Sequence, residues 1–318
     1  MNNEAGIGKP SGPPVNDPIY SKQASYLEAI NVPAAWRRLT STRVKRKKVT
    51  VALIDSGVKP DHPDLVGNLV TGYNVIRHNT NTSDPNGHGT NMAGVFGATI
   101  NNSVGIAGVM DLVNILPISV ENYFIGDHSD SFDYAIRNKK TRDISIILMA
   151  ISGGIFREGV ANKIKEAVKA GMLVIVTAGN KGKNITTDKA YPCALTAQLP
   201  GMLCVAGTEN TEMKLAPFSD YANYVDIAAP GADIATTGIA TGTNRFAYEI
   251  VGGTSPASAI IAGVAAMLYS LAPNLTPADV KKIIKDTSTK GLKDSTGKTT
   301  FPFGRVDADK AVAKLIPR

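Results

Sequence analysis

Four polar side chains stand at the ends of apolar segments, and their types suit acyl transfer. Ser255 opens the apolar helical run in IVGGTSPASAIIAGVAAML, and His88 lies between two glycines in NGHGT. Asp55 ends the segment KVTVALID, and Asn180 follows LVIVTAG. A serine is a weak nucleophile until a base takes its proton, and an imidazole has the pKa to do so near neutral pH. An aspartate can fix the imidazole tautomer, and an asparagine can donate an N–H to an oxyanion.

Each of these side chains also has an ordinary structural explanation. Asp55 could be a turn residue, His88 a structural histidine, and Asn180 a bridge between loops. Ser255 could cap its helix, although Thr254 precedes it and could cap instead. We expect Ser255 to begin the helix, where its N–H has no helical partner and shares the positive end of the helix dipole. That placement favours a nucleophile whose own N–H stabilises an oxyanion.

The elements around these residues indicate one α/β domain. Five apolar runs without alternation predict parallel strands that are buried on both faces; they cover residues 48–55, 112–120, 144–152, 172–179 and 202–208. Helical patterns at 158–171 and 276–286 lie between or after them, the second with Thr276 as its N-cap. We predict a doubly wound, mostly parallel sheet with helices on both faces, in which ligands bind at the carboxyl ends of the strands. A flexible segment is expected at 1–16, and the domain at 17–318.

Composition excludes several other classes of protein. The net charge of +7 comes partly from basic clusters at 43–48 and 137–142, which precede predicted strands without interleaved aromatic residues. We therefore expect solvated loops and no nucleic-acid partner. No apolar run reaches the ~18 residues of a membrane span. Cys193 and Cys204 either form a disulfide, the favoured alternative, or remain two buried thiols.

The motifs IDSG, NGHGT, TAGN and GGTS, in this order, resemble those of the subtilisin-like serine proteases. The resemblance extends from about Asp17 to Val306. It implies a serine endopeptidase that hydrolyses peptide bonds through an acyl-enzyme. In that mechanism Asp55 orients His88, His88 is the general base and then the acid, and Ser255 is the nucleophile. Asn180 and the Ser255 N–H would form the oxyanion hole.

The resemblance also implies a structural calcium ion near the N-terminus. Calcium takes six to eight oxygen ligands, many of them backbone carbonyls. An Asn-Asn-Ser turn without an ion is the alternative. The implied ligands are the side chains of Asp17, Asp64 and Asn102 and the carbonyls of Ile100, Val104 and Ile106.

Substrate is expected to bind as an added strand against residues 150–154. Lys181 follows the oxyanion asparagine, and its cation should disfavour basic side chains before the scissile bond. We therefore expect large apolar or acidic side chains there. The implied substrate-binding residues are Ile151, Ser152, Gly153, Gly154, Ala178, Gly179 and Lys181.

Several positions depart from the family pattern and leave other functions open. Asn91 stands where a second histidine is frequent, Pro256 replaces a common methionine, and Ala259 replaces a common proline. Extra room behind Ser255 would suit an acyl-transferase or peptide ligase, and a catalytically silent binding module is a further alternative. The resemblance implies polypeptide substrates, a monomer and an inhibitory pro-segment that is absent from this chain. It favours a secreted protein or one in a secretory compartment, with an intracellular form left open.

Overall fold

The centre of the molecule is a sheet of seven parallel strands in the order β2-β3-β1-β4-β5-β6-β7. The computed structural model describes residues 14–121, 128–153, 155–240 and 247–316. An antiparallel pair, β8 with β9, lies outside this sheet. The strands are β1 (Val49–Asp55), β2 (Tyr73–Asn74), β3 (Val113–Ser119), β4 (Ile144–Met149), β5 (Leu173–Thr177), β6 (Met202–Thr208), β7 (Ile227–Pro230), β8 (Ile234–Thr237) and β9 (Tyr248–Val251).

Both faces of the sheet are covered, which explains the continuous apolar runs. In β1, Val51 and Leu53 pack into one core, whereas Ala52 and Ile54 pack into a second core on the opposite face. Successive side chains of a strand point to opposite faces, so both sets must be apolar. The predicted fold class and all five predicted strands are confirmed.

Helices divide between the two faces. The first core receives apolar side chains from α1, α2, α3, α6, α7 and α8, and the second from α4 and α5. The helices are α1 (Tyr20–Ala29), α2 (Val32–Ser41), α3 (His88–Gly97), α4 (Ser129–Arg142), α5 (Glu158–Lys169), α6 (Thr254–Leu271), α7 (Pro277–Thr287) and α8 (Ala308–Ala313).

The predicted N-cap of α7 is confirmed, whereas the prediction of a loop at residues 137–142 is wrong. Thr276 caps α7 through a reciprocal pair of bonds with Asp279, 3.0 and 3.2 Å long. The basic cluster at 137–142, which we expected to be a loop, forms the last turns of α4. Cationic side chains at the C-terminal end of a helix interact favourably with its dipole, so the cluster continues the helix instead of ending it.

Residues 15 and 16, in the segment expected to be flexible, contact the rest of the protein. Val15 is buried, and the side chain and backbone of Asn16 both bond to the 101–103 loop. The domain start at residue 17 stays a prediction, and the partners of Asn16 lie in a distant loop that the local sequence does not reveal. Residues 1–13 of the predicted flexible segment lie outside the described residues.

Two further expectations concern the core. Cys193 and Cys204 form a disulfide with their Cα atoms 5.1 Å apart, so the favoured alternative is confirmed.

In the described part of the chain, α6 alone is long and apolar enough to cross a membrane, and 94% of its apolar window is buried inside the protein.

Candidate active site

Asp55 and His88 meet at the carboxyl end of the sheet. Asp55 is the last residue of β1 and is fully buried, and His88 is the first residue of α3. The Nδ1 atom of His88 lies 2.8 and 2.9 Å from the two carboxylate oxygens of Asp55. The backbone N–H of Ser56 donates a third bond to the Asp55 carboxylate, at 2.7 Å. These contacts hold the imidazole by Nδ1 and fix its orientation.

Two glycines permit this approach. A Cβ built on Gly89 would lie 2.0 Å from the carbonyl oxygen of Gly57 and 3.1 Å from the Cβ of Asp55. Gly57 itself has a φ of +128°, a conformation that side chains disfavour. The first turn of α3 therefore packs directly on the turn after β1.

Asp84 holds the start of α3, a role that our sequence analysis missed. Its Oδ2 accepts the N–H and hydroxyl of Thr90 at 2.9 and 2.6 Å, and its Oδ1 accepts the N–H of Gly87 at 2.8 Å. The hydroxyl of Ser56 also donates to Oδ1, at 2.8 Å. An aspartate just before a Gly-His-Gly helix entrance was the available signal.

The environment of His88 favours its protonated form. Burial lowers the pKa of the imidazole, but the charge and hydrogen bond of Asp55 and the charge of Asp84 together outweigh burial. The pKa of His88 is therefore raised above its ordinary 6.5. An imidazolium would be stabilised at this position.

Ser255 lies in the first turn of α6. Its Oγ donates to the carbonyl of Ala150 at 3.0 Å. Within the described residues its backbone N–H forms no hydrogen bond, as expected so near a helix start. Our prediction that Ser255 begins the helix is wrong by one residue. The helix begins at Thr254, because Gly253 is its N-cap with a φ of +139°.

Thr254 does not cap α6 but binds Asn180. The amide oxygen of Asn180 accepts the N–H and the hydroxyl of Thr254, both at 2.8 Å. The Thr254 hydroxyl also contacts that of Thr177 and accepts the N–H of Gly179 at 3.2 Å. Thr254 holds the amide oxygen of Asn180, so Nδ2 of Asn180 is directed away from Thr254. This Nδ2 donates no hydrogen bond to any described residue.

One cavity of about 270 Å³ brings three of the four predicted catalytic side chains together. His88, Asn180 and Ser255 line it, and Asp55 lies behind His88. A nucleophile, a base and an N–H donor thus border the same space. This arrangement is capable of acyl transfer.

The residues expected to bind substrate divide into accessible and buried groups. Ile151 and Ser152 line the same cavity. Gly153 instead forms two backbone bonds with Tyr191, at 2.9 and 2.8 Å, so its N–H and carbonyl are already paired. Ala178 and Gly179 are buried, whereas Lys181 is exposed. Gly154 lies outside the described residues.

A second cavity, of about 160 Å³, lies beside the 151–153 segment and was not predicted. Apolar side chains dominate its wall, including Met149, Ile151, Phe156, Val160 and Leu195. Ile151 borders both cavities, so the second is continuous with the predicted substrate-binding strand.

The departures from the family pattern each have a place in the structure. Asn91 is buried and donates its side-chain N–H to the carbonyl of Thr237 at 2.7 Å, which ties α3 to β8. Pro256 lines the 270 Å³ cavity, and Ala259 is fully buried in α6.

The three side chains implied for calcium also lie together. Asn102 donates its side-chain N–H to Asp64 at 2.9 Å, and Asp17 accepts the backbone N–H groups of Asn101 and Asn102 at 2.9 and 3.3 Å. The N–H of Ile106 donates to Asp64 at 2.9 Å. The remaining implied ligands, the carbonyls of Ile100, Val104 and Ile106, belong to the same loop.

Two buried carboxylates in one loop cluster suit a divalent cation. Burial raises the pKa of Asp17, and burial with the nearby charge of Asp17 raises that of Asp64 to about 6. Neither forms an ion pair with any described residue. Among those residues no three His, Cys, Asp or Glu side chains cluster, so amide and carbonyl oxygens would have to complete a site.

Comparison with known proteins agrees with this geometry. The profile of the Subtilase family matches residues 46–305. Thermitase from Thermoactinomyces vulgaris is 33% identical over 302 aligned positions, and the match covers 93% of this chain and 98% of that protein. An extracellular protease from Xanthomonas campestris is 29% identical over 346 aligned positions, covering 95% of this chain but 57% of its own length.

A solved protease structure is also similar to this chain. A protease from Pseudoalteromonas arctica has a TM-score of 0.80 and 27% identity, and the match covers 95% of this chain and 100% of that one. The profile match covers well over half of the chain, and thermitase is matched over nearly its whole length. The chain therefore belongs to the subtilase family and is a serine endopeptidase.

Proposed function

We propose that Asp55, His88, Ser255 and Asn180 carry out peptide-bond hydrolysis through an acyl-enzyme. One observation carries this assignment: the Asp55 carboxylate binds Nδ1 of His88, while His88, Ser255 and Asn180 line one cavity. A base, a nucleophile and an oxyanion donor bordering one space are the parts that acyl transfer requires.

The proposed reaction proceeds in two halves. Ser255 Oγ attacks the peptide carbonyl carbon while Nε2 of His88 takes the hydroxyl proton. The tetrahedral oxygen accepts hydrogen bonds from Asn180 Nδ2 and the Ser255 N–H. Collapse breaks the C–N bond, and His88 gives its proton to the departing amine. Water then attacks the ester with His88 again as base, which releases the acid and restores the Ser255 hydroxyl.

Substrate would bind as a strand along residues 150–153. Gly153 is paired with Tyr191, and the carbonyl of Ala150 accepts the hydroxyl of Ser255, so we assign the free edge to Ser152. The apolar cavity beside Ile151 would take an apolar side chain further from the scissile bond.

We also propose a structural calcium ion held by Asp17, Asp64 and Asn102 with carbonyls of the 100–106 loop. Bound calcium would neutralise two buried carboxylates. It would thereby stabilise the loop against β9, because Tyr248 of β9 donates its hydroxyl to Asp64 at 3.3 Å. The ion would act on stability and would take no part in bond breaking.

A secreted form is our proposal for localisation. The disulfide favours an oxidising compartment, and one relative is by name an extracellular protease. The inhibitory pro-segment and the monomeric state stay predictions. Acyl transfer to an amine, which Ala259 suggested, also stays a prediction, and product analysis with an added amine tests it.

Covalent labelling tests the catalytic assignment. A phosphonofluoridate should label the wild-type chain at Ser255, and the wild type should cleave a denatured proteome, whereas Ser255→Ala should do neither. Ser258→Ala is the matched control, because Ser258 lies one turn later in α6 and donates to the carbonyl of Ser255. Labelling at another serine, or cleavage by folded Ser255→Ala, would contradict the proposal.

A further inference from the structure

Two segments leave the sheet side by side at the proposed active site. β4 and β5 are parallel neighbours, with Met149 paired to Val176. Residues 150–153 and 178–180 follow these strands directly. Under the proposed function, the substrate side chain that precedes the scissile bond enters between the two segments, so their facing groups determine which side chains fit.

Two side-chain oxygens already occupy the space next to Gly179. This glycine has a φ of +119°, and a Cβ built on it would lie 3.1 Å from Oγ of Ser152 and 2.4 Å from Oδ2 of Asp220. Ala178 and Gly179 are both buried. The hydroxyl of Ser152 thus reaches across from one segment to the other, and Oδ2 of the buried Asp220 lies beside Gly179 as well.

Asp220 is held firmly in this position. It is 4% exposed, and its Oδ1 accepts the backbone N–H groups of Lys181 and Lys183 at 3.0 and 2.8 Å. Its own N–H donates to the carbonyl of Gly179 at 2.8 Å. Within the described residues, Oδ2 forms neither a hydrogen bond nor an ion pair. The oxygen nearest Gly179 therefore presents negative charge without a protein cation to offset it.

We propose that Ser152 and Asp220 restrict the first specificity pocket to small side chains without negative charge. This inference rests on the proposed function and revises our expectation of large apolar or acidic side chains. The Ser152 side chain shortens the pocket, and the Asp220 carboxylate repels a substrate carboxylate. The Lys181 cation is exposed and screened by water, so the buried carboxylate has the stronger influence inside the pocket.

A peptide series tests the size restriction. The peptides differ only before the scissile bond, where they carry Ala, Leu, Phe or Glu, and kcat/KM is measured for each. The wild type should cleave after Ala at least about 10-fold faster than after Phe, since hydrophobic pockets discriminate side-chain size by roughly 10–200-fold. Ser152→Gly should raise the Phe/Ala ratio about 10-fold, and Ser152→Ala should raise it less. Ser295→Gly, at an exposed turn serine, should leave the ratio unchanged.

A separate variant tests the exclusion of negatively charged side chains. Asp220→Asn keeps an acceptor oxygen for the Lys181 and Lys183 N–H groups but removes the charge. The Glu/Ala ratio of kcat/KM should rise about 10-fold in this variant, and the Phe/Ala ratio should change much less.

Failure of this inference differs from failure of the proposed function. Wild-type preference for Phe or Leu over Ala, or an unchanged Phe/Ala ratio in folded Ser152→Gly and Ser152→Ala, would overturn the role of Ser152. An unchanged Glu/Ala ratio in Asp220→Asn would overturn that of Asp220. Loss of the proposed function would instead appear as an unlabelled Ser255 and no cleavage of any peptide, including the Ala peptide.

Discussion

The amide oxygen of Asn180 accepts two hydrogen bonds from Thr254, one from the backbone N–H and one from the hydroxyl, each 2.8 Å long. Rotation of the amide would break both bonds. Its Nδ2 is therefore directed away from Thr254 in advance of substrate, without reorganisation during the reaction. Because Thr254 immediately precedes Ser255, one turn of α6 positions both the proposed nucleophile and the proposed oxyanion donor.

Asn180→Ala should lower kcat much more than it changes KM, because the oxyanion bond is made only in the transition state. The expected loss of about 10²–10³-fold is the size already known for removal of such a donor in subtilisin. Steady-state kinetics on a peptide substrate measure it. If KM instead rose by a similar factor while kcat stayed unchanged, Asn180 would contribute to binding of the ground state.

Thr254→Val removes the hydroxyl but keeps the shape of the side chain. We expect kcat to fall about 10-fold, because the hydroxyl no longer donates to the amide oxygen of Asn180. The backbone N–H of Gly179 also loses its acceptor. Thr254→Ser keeps the hydroxyl and should retain most of kcat. If the valine variant kept full kcat, Thr254 would not position Asn180.

The acid limb of kcat/KM should lie above pH 6.5. Asp55 and Asp84 raise the pKa of His88 despite its burial, and the general base must be neutral. Activity is therefore lost as pH falls through this raised pKa. Asp84→Asn removes one of the stabilising charges, so the limb should move to lower pH. A wild-type limb at or below pH 6.5 would contradict the assignment.

Chelation with EGTA should lower the melting temperature, and calcium should restore it. In the cation-free protein the pKa of Asp64 is raised to about 6 from 3.8, so this group's contribution to stability decreases as pH rises through about 6. Calcium binds the deprotonated carboxylate, and its stabilising effect should thus be larger at about pH 7.5 than at about pH 5.

Two variants locate the calcium effect. Asp64→Asn should abolish the difference between the EGTA and calcium melting curves, whereas Asp188→Asn, at an exposed aspartate, should preserve it. A wild-type melting curve that EGTA does not change would remove the proposed site.

Gly89→Ala should weaken both stability and activity. The new Cβ would lie 2.0 Å from the Gly57 carbonyl, so α3 and the turn after β1 must separate. We expect a loss of about 1–3 kcal/mol in the free energy of unfolding, and a lower kcat because His88 moves from Asp55. The control is Gly67→Ala, where the nearest atom to the new Cβ would be 3.6 Å away. Its free energy of unfolding, measured by denaturant unfolding, should change little. Equal stability of the two variants would be contrary to this account.

Local chemistry made the fold and much of the candidate site predictable. Continuous apolar runs identify strands buried on both faces, and the Thr276 signal identifies a helix start, because these are properties of neighbouring residues. The positions of Asp55, His88 and Ser255 could be predicted in advance, since each lies at the end of a strand or in the first turn of a helix. The local pattern was ambiguous at Thr254, which could have capped α6; Gly253 is the N-cap, and the Thr254 hydroxyl binds the distant amide of Asn180.

By itself, the amino-acid sequence determined the kinds of elements, their order and the residue types that end at one edge of the sheet. Only the tertiary structure decided that Tyr191 pairs with Gly153, and that Asp220 and Ser152 meet beside Gly179. These partners are far apart along the chain. Their contacts depend on strand register and on how loops cross the sheet edge, and such distances are determined by packing of the whole domain and not by any local pattern of residues.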